Sequence, residues 1–166
     1  MNLKLVKTIG VVGVFLLCFP LHFLYDNISN FLTSIISPIN ESSWEHMKFI
    51  YTAYLLWGIV EYFLIRKNKD INNFVIQLFL VPIFGICIYL SIYLPLFNLF
   101  GENLIISILL LFIVIVIEEV ISYFLLKGEE IKNQRLIGII GIIMVYIIFA
   151  YLTYFPLDNY LFWDNI

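Results

Sequence analysis

Charge is what this chain has least of. Asp, Glu, Lys and Arg make up 13% of its 166 residues, about half the share of a soluble globular domain. A surface solvated on all sides is thereby excluded. With a net charge of −3 and no basic patch, nothing suits a nucleic-acid partner. Cysteine is nearly absent as well. Cys18 and Cys87 both fall inside apolar stretches, where packed thiols are expected and neither a disulfide framework nor a thiolate metal site has support. No small-x-small site follows the first apolar stretch, so it reads as a retained segment, not a cleaved signal peptide. Phe15-Leu16-Leu17 before Cys18 also lacks the small residue a lipoprotein cysteine requires.

What is abundant is hydrocarbon: 63% of the residues are hydrophobic. They gather in five runs, about 5–25, 46–65, 74–95, 103–126 and 136–155, each near the ~20 residues that cross the bilayer core as a helix. The expected fold is all-α, a polytopic membrane protein of five transmembrane helices forming one integral membrane domain over 1–166. Between the first two runs, Ile28, Phe31, Leu32, Ile35 and Ile36 recur with helical spacing. They predict a short amphipathic helix over about 28–37 that lies in the interface and ends at Pro38. The tail 156–166 carries Tyr160, Phe162 and Trp163, an interfacial anchor composition. Pro20, Pro82 and Pro95 are positions where a span can kink or end. Gly10 and Gly13 in the first run and Gly138 and Gly141 in the fifth suggest a close contact between those two helices.

Lys4 and Lys7, then Arg66, Lys67 and Lys69, then Lys127, Lys132 and Arg135 lie in alternate connecting segments, and only Lys48 lies in the others. By the positive-inside rule the N-terminus is cytoplasmic and the C-terminus extracytoplasmic. His22 and His46, the only histidines, then fall at the outer boundary, with Asp26, Glu41, Glu45, Asp158 and Asp164 at similar depth.

Two explanations compete for the polar stretch Asn40–His46. Ser42-x-x-Glu45 has the form of a capping box for the second span, with Trp44 in the aromatic belt. That leaves Glu41, Asn40 and the depth of His22 unexplained. Alternatively, His22, His46 and Glu41 or Glu45 supply three protein ligands for a divalent metal such as zinc, with a fourth position open. The remaining carboxylate, Glu41 or Glu45, is then the candidate catalytic base or an outer-sphere partner. A third possibility is a proton or cation site in which His22 pairs with Asp26 or Glu45.

A second polar group is expected in the inner half: Glu61, Gln77, Glu118 and Glu119. Carboxylates at such depth face the bundle interior or a cavity. The simplest partner for Glu61 is Arg66, and for one of Glu118 and Glu119 it is Ser122. Glu118-Glu119-Val120-Ile121-Ser122-Tyr123 resembles the Glu-Glu-x-x-x-Arg motif of CAAX-type intramembrane proteases. Tyr123 occupies the arginine position and no histidine follows His46, so that relation is set aside.

The segments His22-Phe23-Leu24-Tyr25-Asp26 and Pro38-Ile39-Asn40-Glu41-Ser42-Ser43-Trp44-Glu45-His46 resemble a domain-of-unknown-function family of small membrane proteins from low-GC Gram-positive bacteria. Its members share Pro-x-Asn-Glu-Ser-x-Trp-Glu-His. The tail Leu161-Phe162-Trp163-Asp164 is similar to that family's short outer tail. The resemblance implies a compact multi-span bundle in a bacterial cell membrane and no particular activity. Three roles are compatible with all of this. One is a small binding or transport component, and another is an accessory component whose partner is a larger membrane complex or a second copy of the chain. The third is a metal-dependent membrane enzyme, a hydrolase or group transferase, using the His/Glu cluster.

Overall fold

The structure, a computed structural model, describes residues 1–68 and 70–163. Lys69 of the basic segment and Asp164 of the tail lie outside the described residues. The described chain is helical, with no strand. Seven α-helices follow in order: α1 Leu3–His22, α2 Leu24–Asn27, α3 Phe31–Ile36, α4 Ser43–Ile65, α5 Phe74–Phe100, α6 Leu104–Lys127 and α7 Gln134–Tyr154, then a single 3-10 turn at Tyr160–Phe162. Five segments are long and apolar enough to cross a membrane: α1 with α2, α4, α5, α6 and α7.

Asparagine sets most of the helix starts. Asn2 caps α1 by accepting Lys4 N–H at 2.9 Å, and Asn103 caps α6 by accepting from Ile105 and Ile106 at 3.1 Å. Asn73 and Asn133 open α5 and α7 in the left-handed region, at φ 57° and 58°, which asparagine tolerates better than most residues. Buried Asn73 also donates to the carbonyls of Leu125 and Glu129 and accepts Ile131 N–H. The α4–α5 and α6–α7 connections are thereby tied together. Gln134 accepts from Val75 and Ile76 N–H, so α7 caps α5.

Two helix bounds differ from expectation. The third span does not stop at Pro95; α5 continues to Phe100 and ends where Gly101 turns at φ 69°. A proline removes one helical hydrogen bond, which a packed membrane bundle tolerates. The short helix α3 starts later than residue 28, because Asn30 caps it and exchanges hydrogen bonds with Thr33. It stops at Ile36 because Ser37, before Pro38, is extended at φ −134° and ψ 152°, the region a residue before proline prefers.

α1, α4, α5 and α6 close into a ring, each touching the next, while α7 packs on α5 and on α3. The least hydrophobic span, α4, is the most enclosed. Its Met47, Ile50, Tyr51 and Tyr54 fill the core with Val14, Val114 and Ile115. Leu, Ile, Val and Phe side chains are exposed along the outer faces of the other spans, and Cys87 also lies exposed on α5. α3 presents its polar Thr33 and Ser34 inward and its Phe31 and Leu32 outward.

The glycines do not join the first and fifth spans. Gly10 and Gly13 lie against Trp57 of α4, and Gly10 also against Glu119 of α6. A Cβ on Gly138 would sit 2.6 Å from the Val75 carbonyl oxygen of α5, and one on Gly141 would meet Phe79. Gly10, Gly13 and Gly141 each admit a bulky side chain from a different helix, and Gly138 admits the α5 backbone itself.

Candidate metal centre and its pocket

Ser37 shapes the return from α1 to α4. Its hydroxyl donates to the Leu21 carbonyl at 2.6 Å and accepts Tyr25 N–H at 3.1 Å. The loop that follows is thereby pinned to the end of α1. Asn40 accepts Ser42 N–H at 3.0 Å and Ser42 Oγ accepts Glu45 N–H at 3.3 Å, so α4 begins beside the last residue of α1. The two histidines meet there. His22 Nε2 and His46 Nε2 are 3.0 Å apart. Glu41 Oε2 lies 3.2 Å from His46 Nε2 and 3.8 Å from His22 Nε2. Phe49 packs against both imidazoles, with ring centroids 5.3 and 5.6 Å away.

These three distances carry chemical information. A circle through the three ligand atoms has a radius of about 2.0 Å, the length of a zinc–nitrogen or zinc–carboxylate bond. Two imidazole nitrogens among the three ligands do not suit calcium, which takes six or more oxygens. His46 Nδ1 is 2.9 Å from the Ser42 carbonyl. A carbonyl only accepts, so Nδ1 carries the hydrogen and Nε2 presents its lone pair, the arrangement of a metal-binding imidazole held by an outer partner. His22 has no such support: its Nδ1 is buried without a hydrogen-bond partner among the described residues.

Glu41, His22 and His46 line a pocket of about 450 Å³. Its remaining walls include Cys18 of α1, Tyr89 and Tyr93 of α5, Glu102 of the α5–α6 turn, and Ser107 and Leu111 of α6. Tyr89 and Tyr93 stack at 5.3 Å. A second hollow, of about 500 Å³, opens near the other end of α5 and α6 and is walled mainly by Leu80, Val81, Phe84, Ile121 and Phe124.

Glu45 is not brought to the imidazoles. Adjacent helical residues point about 100° apart, and Glu45 turns toward α7. Its carboxylate accepts from Ile39 N–H at 2.9 Å and from Thr153 Oγ1 at 3.2 Å, and it ion-pairs with Lys48. The capping box is therefore half formed: Ser42 caps, but Glu45 does not reach back, because Lys48 holds it one turn on. Buried Lys48 also donates to the Ser34 carbonyl at 2.7 Å and to Thr153 Oγ1 at 2.9 Å, joining α3, α4 and α7. Asp26 and Asp158 are exposed and do not belong to the set of atoms that can share one ion. The tail seats Phe162 on Trp44, with ring centroids 5.0 Å apart, outside the pocket.

The inner residues form a separate buried network. Lys7 Nζ lies 2.5 Å from Glu61 and 3.1 Å from Glu119, and donates to Ser122 Oγ at 2.6 Å. Ser122 and Tyr54 in turn donate to Gln77 Oε1, at 2.8 and 2.6 Å. Thus Glu61 pairs with Lys7 across the bundle, not with Arg66, and Ser122 bonds Lys7 and Gln77 instead of a carboxylate. Glu118 lies on another face of α6. It is fully buried against Gly85, with neither carboxylate oxygen hydrogen-bonded among the described residues.

Lys7 and Glu102 went unrecognised among the sequence candidates. The place of Lys7 among the basic residues before the first span hid its role, although it lies one turn inside α1. Glu102 had a usable signal: it is the single acidic residue between the third and fourth spans, on the histidine side of the alternating connections. No curated protein and no solved structure matches the chain. A family profile described as a family of unknown function, DUF6512, matches residues 2–166. The chain belongs to that family.

Proposed function

We propose that the chain is a metal-dependent membrane enzyme, a hydrolase or group transferase, whose His22, Glu41 and His46 hold a zinc-type divalent ion at the extracytoplasmic boundary of a bacterial cell membrane. The observation that carries this is the three-atom geometry, a bond length from one common point, at the wall of a pocket. Two imidazoles and one carboxylate leave a fourth position for a water or a substrate oxygen. An ion there supplies Lewis-acid activation. Glu102, in the same pocket lining, is the carboxylate best placed by elimination to accept and return a proton, since Glu41 is a ligand and Glu45 is committed to Lys48. His46 is oriented by the Ser42 carbonyl, and Phe49 restricts both rings.

The orientation rests on the basic residues. Lys4, Arg66, Lys67, Lys127, Lys132 and Arg135 are exposed at one end of the bundle, while Lys48, at the histidine end, is buried in an ion pair. The charge asymmetry that orients membrane proteins is therefore sharper than a count of residues suggests. A role as a transport component draws on Glu118, whose carboxylate has no hydrogen-bond partner among the described residues, but apolar core residues such as Ile50, Val114 and Ile115 pack at the middle of the bundle.

The test is elemental analysis of the purified full chain after zinc loading and dialysis without chelator. About one zinc per chain is expected, falling roughly tenfold in His46→Ala with helicity unchanged. Equal, substoichiometric zinc in wild type and variant would contradict the proposal.

A further inference from the structure

We infer that the pocket binds a membrane-resident amphiphile, with a phosphate-type oxyanion at the His22–Glu41–His46 wall and its hydrocarbon tail along α1 and α6. The head-group contact rests on the metal reading above; the tail contact rests on the pocket alone.

The pocket joins two chemistries. One wall is the ligand trio. Much of the rest is apolar: Phe19 and Phe23 at the end of α1, Phe49 of α4, and Leu104, Ile108 and Leu111 of α6. A small hydrophilic substrate has no use for so much hydrocarbon, whereas buried apolar contact drives binding of a chain roughly in proportion to its area. The pocket rim is the second observation. Phe19, Phe23 and Leu104 are 40%, 54% and 72% exposed. They are continuous with Leu16, Ile105 and Leu109, exposed on the outer faces of the same two spans. Those faces meet lipid in a membrane-spanning helix, so the rim meets lipid too. A chain can enter sideways, without crossing water.

Depth and charge agree with this. The pocket lies where α1 ends and α6 begins, the level of head groups for helices that span the bilayer. α3, at the same end, turns Phe31 and Leu32 outward, as an interfacial helix does. A divalent ion with one carboxylate and two neutral imidazoles keeps a net positive charge at the open position, which favours an oxyanion there, although Glu102 in the same lining subtracts from it. At about 450 Å³ the pocket falls within the ~300–1,000 Å³ of small-molecule sites. A head group and the first part of one chain fit, and the remainder of the chain stays in the bilayer.

Photo-crosslinking tests this on the zinc-loaded full chain in phosphatidylcholine nanodiscs carrying a trace of phosphatidic acid with a diazirine midway along one acyl chain. Labelling is expected to concentrate in peptides covering residues 15–23 and 104–111. Ile108→Trp, which fills the pocket from α6, is expected to cut it about tenfold, a change worth about 1.4 kcal/mol of binding, with zinc content unchanged. Ser107→Trp is the second blocking variant should the first misfold. Excess short-chain phosphatidic acid should displace the probe, and inorganic phosphate at equal concentration should not. Labelling spread evenly over all five spans, or unaffected by either tryptophan while zinc is retained, overturns the inference and leaves the metal reading standing. Equal displacement by inorganic phosphate identifies free phosphate as the ligand and overturns the tail contact. Zinc absent from the wild type overturns the metal reading and the head-group contact with it.

Discussion

Two side chains of the same type do opposite work in this chain. Glu41 keeps its carboxylate beside two imidazoles, while Glu45, four residues on, is consumed by Lys48 and α7. Glu41 lies in the loop just before α4, beside the end of α1, whereas Glu45 lies in the first turn of α4 within reach of Lys48. Lys7 shows the same logic at the other end: it lies 2.5 Å from Glu61 and 3.1 Å from Glu119 in a buried site. Removing one member of a buried ionic group leaves uncompensated charge, whereas replacing the whole group by neutral residues is often tolerated. Lys7→Met should therefore destabilise the fold by about 3–5 kcal/mol in denaturant unfolding of the detergent-solubilised protein. Lys7→Met combined with Glu61→Gln and Glu119→Gln should recover most of that loss. A triple variant no better than Lys7→Met would show that the network is not the source. The sequence put forward His22 and His46 with either Glu41 or Glu45, because metal-binding residue types are scarce here and charge parity placed them at one depth. It could not separate Glu41 from Glu45, nor find the partner of Glu61. Those answers depend on how α1, α4 and α6 rotate about their axes, and a chain apolar on nearly every face carries little phase information.

At the level of elements, the spans were legible because runs of about 20 apolar residues have few other uses. Their ends were less so, since asparagine caps and the left-handed turns at Asn73 and Asn133 act locally, independent of hydropathy. Helix neighbours were not legible at all. Glycine spacing in the first and fifth spans suggested that they touch, yet each pair receives a bulky group from another helix. Glycine contacts of two kinds make a test. At Gly85 an added methyl would collide with the Glu118 side chain, and at Gly138 with the Val75 backbone. Both alanine variants should lower stability by roughly 1–3 kcal/mol. Glu118→Ala should rescue Gly85→Ala, because the obstruction is a side chain. Truncating Val75 should not rescue Gly138→Ala. Rescue of both, or of neither, would contradict the described packing of α5.

As a whole, the molecule is a ring of four helices with a fifth outside. The ring holds a buried ionic network near one end and an imidazole–carboxylate pocket near the other. The exposed basic residues mark the first end, and we propose that it faces the cytoplasm. Single cysteines at position 67 and position 158, in a background with Cys18 and Cys87 replaced by Ala, test this in intact cells. A membrane-impermeant maleimide should label Asp158→Cys and leave Lys67→Cys unlabelled. The reverse pattern would invert the molecule and place the pocket inside.

The central claim is that His22, Glu41 and His46 share one metal ion. Zinc X-ray absorption of the loaded full chain tests it most directly. A four-coordinate first shell of nitrogen and oxygen at about 2.0 Å is expected, with the outer-shell scattering of two imidazoles. In His22→Ala that scattering should fall to one imidazole or the zinc should be lost. A sulfur-containing shell, or a spectrum unchanged by His22→Ala, would contradict it.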